Sequence, residues 1–217
     1  MVEMDLLPMV RLQGGTRVTS YLVEHGFTYG EARKLSRGDT LVQIRDRTVQ
    51  HLCEALRCTP SDLFCWRGKE TDALAVLNRR RPKPLHALLE GKTEAERMAL
   101  WQKVTEWNAT HTPQPRVVGG RLKLDVQRLV WLRTSRSPWK ELQDMGLTEM
   151  EARGVLRADC YALRMKVLTK LCEGFGCLPD DLFSFEGPEG HVLSGLQRSE
   201  LLDVSSLPAE VLRGFEN

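Results

Sequence analysis

The 217-residue chain has no apolar run of about 18 residues or more, the length a membrane-spanning helix needs. Its first residues, MVEMDLLPMVRLQGG, carry acidic rather than basic charge before a very short apolar patch, unlike a secretory leader. A soluble, cytoplasmic chain is expected. In that setting the six cysteines are expected as reduced thiols rather than disulfides.

Charge of one sign is also scarce. Lys plus Arg against Asp plus Glu stands at ten to nine in residues 1–70, eight to five in 71–119, eleven to eleven in 120–190 and two to four in 191–217. With a net charge of only +2, no segment produces a global positive field. Binding to nucleic acid therefore has to come from locally placed Arg and Lys.

Catalytic constellations are missing too. His25, His51, His86, His111 and His191 fall in unrelated contexts, and there is no Gly-rich phosphate loop. The adjacent Asp180 and Asp181 sit in the closing turn of a structural motif. The expectation is a non-enzyme with no cofactor.

What the chain does have is a repeat. LCEALRCTPSDLF at 52–64 and LCEGFGCLPDDLF at 171–183 agree at eight of thirteen positions. Upstream, HGFTYGEARKLSRGD (25–39) lies against MGLTEMEARGVLRAD (145–159), sharing Gly26/Gly146, Thr28/Thr148, the Glu-Ala-Arg triplets, Arg37/Arg157 and Asp39/Asp159. The offset changes from 120 to 119 between these stretches, which places a one-residue insertion in a loop near 40–44. Apolar content of 41% lets each copy have a core.

Within each copy, Thr28 with Glu31 and Thr148 with Glu151 have the spacing of a capping box. Phe27 and Leu147 precede the caps, and Ala32 and Ala152 follow at staple positions. Gly26 and Gly146 end the preceding helical stretches, TRVTSYLVEHG and PWKELQDMG. Each copy thus reads helix, Gly turn, helix. A later amphipathic helix turns Val49, Leu52, Cys53 and Leu56 toward a core, and Pro60 to Phe64 or Pro179 to Phe183 closes it. LDVQRLVWLRTS reads as a first helix in the second copy, and the shorter, Pro8-containing MDLLPMVRLQGG as its equivalent in the first.

This pattern resembles the lambda-repressor-like, or XRE/Cro-type, helix-turn-helix domains, in particular those whose later helix reads Leu-Cys-Glu-Ala-Leu-x-Cys and ends Pro-x-Asp-Leu. The resemblance covers roughly residues 8–66 and 122–186. It implies an all-α fold of two such bundles: helix-turn-helix domain 1 at 1–70, a helical connector at 71–119, domain 2 at 120–190, and a tail at 191–217 with a short helix. It also implies that TYGEARKLSRG and TEMEARGVLRA enter the major groove of double-stranded DNA.

Helix geometry then selects side chains. With Thr28 as cap, Ala32 and Leu35 point inward and leave Tyr29, Gly30, Arg33, Lys34 and Arg37 outward. In the second copy Ala152, Val155 and Leu156 go inward and leave Glu149, Met150, Arg153, Gly154 and Arg157 outward. Arg33 and Arg153 are the first choice for base reading, since Arg pairs bidentately with guanine, and Arg37 and Arg157 for phosphate. Arg45, Arg47, Arg164 and Lys166 open the next helix, where members of the resembled family commonly meet the backbone. Glu31 and Glu151 are read as caps. Glu149 has no capping role and faces where phosphates would lie.

His51, Cys53, Cys58 and Cys65 raise a zinc reading. Their counterparts are Lys170, Cys172, Cys177 and Ser184, so half the ligands vanish. Buried thiols packing as small hydrophobes account for the rest, and no metal is expected. In the connector, ETDALAVL reads as a short helix and NRRRPKP as a basic break with Arg79, Arg80, Arg81 and Lys83. The stretch after it reads as one or two helices, the last capped by Thr93 and Glu96 with Met98, Trp101 and Val104 on its apolar side and packing against a domain.

The leading function is a sequence-specific transcriptional regulator, a repressor, acting as a single-chain tandem. Because Tyr29, Gly30 and Lys34 become Glu149, Met150 and Gly154, its DNA is expected to have two unlike half-sites. The alternative is a helical adaptor or inhibitor that binds a protein partner, which near-neutral charge and Glu149 permit. Self-association stays open.

Overall fold

The computed structural model describes residues 1–38, 43–79, 91–110, 117–133, 137–157 and 163–196. The first half runs β1 (Val2–Met4), α1 (Leu7–Leu12), α2 (Val18–Glu24), α3 (Tyr29–Ser36), β2 (Gln43–Ile44), α4 (Asp46–Leu56), a 3-10 turn at Pro60–Leu63 and β3 (Phe64–Trp66). A second 3-10 turn at Ala73–Ala75, α5 (Val76–Arg79) and α6 (Glu94–Thr110) follow. The second half repeats the order with β4 (Arg121–Leu124), α7 (Val126–Arg133), α8 (Pro138–Asp144), α9 (Glu149–Arg157), β5 (Leu163–Arg164), α10 (Met165–Phe175), a 3-10 turn at Pro179–Leu182 and β6 (Phe183–Glu186). Pro8 lies in the first turn of α1, where its missing N–H breaks no helical bond.

The expected all-α fold is corrected, because the described residues hold three two-stranded antiparallel sheets among the helices. In each half the first and last strands pair, β1 with β3 (Val2↔Trp66, Met4↔Phe64) and β4 with β6 (Leu122↔Phe185, Leu124↔Phe183). These strands are three to four residues long, too short for an alternation of period two to stand out, and in the sequence Phe64 and Phe183 read as part of the closing turn. The Asp5 N–H donates to Leu63 O at 3.0 Å and the Asp125 N–H to Leu182 O at 2.8 Å, locking each ribbon onto its 3-10 turn.

The third sheet joins the halves: β2 pairs with β5, with Ile44 opposite Leu163. These two residues hold the same place in the repeat. So do Ser61 and Asp180, which also meet: the Ser61 N–H donates to Asp180 Oδ1 at 2.7 Å and the Asp180 N–H to Ser61 Oγ at 3.0 Å. A residue that touches its own counterpart lies on a two-fold axis. Contacts off the axis come in pairs. The Val2 N–H donates to Thr169 Oγ1 at 2.9 Å, and the equivalent Leu122 N–H donates to Gln50 Oε1 at 3.0 Å. Each half thus lays its first strand on the long helix of the other.

One hydrophobic cluster spans both halves, from Leu22, Leu52, Leu56 and Phe64 to Leu142, Leu171, Phe175 and Phe183. It runs past residue 70, because Leu74, Ala75 and Leu77 are buried in it, and past residue 190 through Leu193 and Leu196. One polar cluster breaks the symmetry: buried His191 places Nε2 3.1 Å from Glu54 Oε1, and Gln50 donates to the same carboxylate at 2.8 Å. Asp72 takes the place of His191 in the first half and accepts from Trp66 Nε1 at 2.9 Å instead. The α6 capping box forms between Thr93 and Glu96, and Met98 on that helix is 69% exposed. Arg80, Arg81, Lys83, the loop residues 39–42, the side chains of Trp101 and Val104, and tail residues 197–217 lie outside what is described.

Candidate nucleic-acid interface

The α2–α3 and α8–α9 pairs are built by the same local rules. Gly26 and Gly146 adopt φ of 92° and 79°, left-handed values that favour glycine. The turn sends the Phe27 N–H to Leu22 O and the Leu147 N–H to Leu142 O, both at 3.1 Å, and both side chains are buried. Thr28 then donates through N–H and hydroxyl to Glu31 Oε2 at 3.0 and 2.6 Å, while the Glu31 N–H donates back to Thr28 Oγ1 at 3.3 Å. Thr148 and Glu151 repeat the box at 2.9 and 3.3 Å. Hydrogen bonds from the Thr28 hydroxyl and backbone hold the Glu31 carboxyl below the usual carboxylate range, and the Thr148 backbone N–H does so for Glu151.

Ala32, Leu35, Ala152 and Val155 are buried. The opposite faces are open: Tyr29 is 65% and Met150 75% exposed, and Arg33, Lys34, Arg37, Arg153 and Arg157 are exposed. On α3 and its C-cap no described residue pairs with the guanidinium of Arg33 or Arg37. In α9 the matching Arg153 donates to Glu149 Oε1 at 2.9 Å and lies 5.9 Å from the ring centroid of Trp139 on α8. Trp139, Glu149, Arg153, Leu156 and Arg157 line one open cleft. The sequence reading had Arg153 and Glu149 on one face but did not join them, although Glu four residues before Arg is a pairing signal. Trp139 was missed altogether, because its role depends on the packing of α8 against α9.

Arg45 caps α4 in an extended conformation and is exposed, as are Arg47, Arg164 and Lys166. The helices that follow are tied to the turns: His51 Nε2 donates to His25 O at 2.9 Å, its ring stacked on Phe27 at 4.0 Å. The counterpart Lys170 Nζ donates to Gly146 O. Each tie fixes the middle of the long helix against the turn before α3 or α9. His51 is thus engaged with the turn, and Cys53, Cys58 and Cys65 are buried. Burial and the neighbouring Cys58 push the Cys53 thiol up, and Cys177 and burial do the same for Cys172, so neither is a ready thiolate.

No family model, curated protein or solved structure matches this chain. Among the described residues no helix is long and apolar enough to cross a membrane.

Proposed function

We propose that this protein is a sequence-specific DNA-binding transcriptional regulator, a cytoplasmic repressor, whose two helix-turn-helix units of the lambda-repressor-like type act as a single-chain pseudo-dimer. One observation carries the reading: Arg33 on α3 with Arg37 at its C-cap, and Arg153 and Arg157 on α9, are exposed at matched positions in two halves related by the axis through Ile44/Leu163 and Ser61/Asp180. Two-fold operators are read by two-fold proteins, with recognition helices one DNA turn, about 34–36 Å, apart. A covalent tandem supplies two such helices without a second chain. Arg33 reads a base, Arg37 and Arg157 meet phosphates, and Arg45, Arg47, Arg164 and Lys166 fix the register on the backbone. The near-neutral net charge makes this a local interface rather than a basic coat.

Selection of bound sequences from random duplex DNA, followed by a salt series on the winning site, tests the reading. The logarithm of affinity should fall linearly with the logarithm of salt concentration. If no duplex is enriched, the DNA reading fails and the protein-adaptor alternative takes its place.

A further inference from the structure

We propose that Glu149 sets the specificity of the second reading surface by holding Arg153 back from guanine, so that this half-site is bound more weakly and with a different base preference from the first. This rests on the DNA-binding reading above and adds to it an account of why the two halves differ.

The two surfaces present an arginine at the same place in different company. Arg153 is held by Glu149 at 2.9 Å, one helical turn toward the N-terminus, which is the favourable order for an acid–base pair on a helix. Trp139 adds a second attraction, its ring 5.9 Å below the same guanidinium. In the first half Tyr29 stands where Glu149 does, and Thr19 where Trp139 does, its hydroxyl donating to Ser36 Oγ at 3.2 Å. Arg33 therefore has neither restraint. To grip the O6 and N7 of a guanine bidentately, Arg153 must leave both partners, whereas Arg33 leaves none among the described residues.

Leaving is made worse by what stays behind. Once Arg153 turns to a base, the Glu149 carboxylate faces the phosphates without a counter-charge, and like charges brought together at an interface oppose binding. The pair is exposed, with 51% and 63% of the two side chains accessible, so water screens it in the free protein, and the repulsion between Glu149 and phosphate grows as DNA excludes that water. Glu149 thus acts against guanine at that step and favours a base whose edge donates, such as cytosine through N4.

The test uses the full chain and sequence selection from random duplex DNA, repeated for Glu149→Gln, for Glu149→Gln with Arg153→Ala, and for Glu189→Gln, an exposed acid outside the α2–α3 and α8–α9 pairs. Glu149→Gln should tighten binding to a site bearing guanine in the second half by roughly fivefold, the size of a released surface restraint and one removed like charge. A new guanine preference should appear at one position of that half-site only. Adding Arg153→Ala should abolish both changes, and Glu189→Gln should leave base preference untouched. An unchanged consensus for Glu149→Gln would overturn the proposal. So would a gain that survives Arg153→Ala, or an equal gain with Glu189→Gln, because either reduces Glu149 to a bulk negative charge. Failure of the unsubstituted chain to enrich any duplex is a different outcome, which removes the DNA reading and this inference with it.

Discussion

Ser61 and Asp180, counterparts in the two halves of the chain, hydrogen bond to each other in both directions, backbone N–H to side chain, at 2.7 and 3.0 Å. Asp180 also accepts from the Thr59 hydroxyl at 3.0 Å. Asp180→Ala strips two donors of a charged acceptor and should cost about 1–3 kcal/mol in urea unfolding. Because the core is shared, unfolding is expected as one transition; two separate transitions would show that the halves fold independently.

The helix ends supply an internal control. Arg57 ends α4 at φ 51°, and its counterpart Gly176 ends α10 at φ 58°. An L side chain is disfavoured there, and Arg57 is exposed with no side-chain partner among the described residues. Arg57→Gly should therefore raise stability by about 0.5–1 kcal/mol, read as a higher Tm. A loss would mean that Arg57 makes a contact worth more than the backbone relief.

Acid should loosen both reading helices. The carboxyls of Glu31 and Glu151 are held below their ordinary value of about 4.3, so each contributes stability that is complete above that pH and lost as pH falls through the lowered value. Glu31 is exposed and Glu151 only half-buried, so solvent screens both and the effect is modest. The double variant Glu31→Gln, Glu151→Gln should be less stable than the parent at pH 7 and show a shallower decline as pH falls below about 4.3, measured by urea unfolding at each pH.

Arginine roles separate by the pattern of loss. Arg33→Ala should weaken specific binding by roughly 1–3 kcal/mol and relax one base position, whereas Arg37→Ala should weaken all sequences alike. If neither changes affinity for a selected duplex, α3 does not read DNA.

Legibility followed range. Thr28 with Glu31, Thr148 with Glu151 and the buried Ala32, Leu35, Ala152 and Val155 are local features, and spacing alone placed them. The ribbons β1–β3 and β4–β6 join residues about 60 apart in the chain, and nothing in the three letters of Val-Glu-Met or Phe-Cys-Trp announces a partner. The axis was harder still, because Ser61 and Asp180 differ in identity, and a repeat comparison scores them as a mismatch where the structure makes them a bond. At the candidate interface the exposed arginines were readable, but the restraint on Arg153 needed the placement of Trp139.

The central claim is that one chain does the work of a helix-turn-helix dimer, and stoichiometry on the selected duplex tests it most directly. Titrating protein into that duplex under tight-binding conditions, with mass measured by sedimentation, should give one chain per site, protecting two unlike half-sites about one helical turn apart. Two chains bound to a perfect palindrome, each engaging a single half-site, would contradict the account.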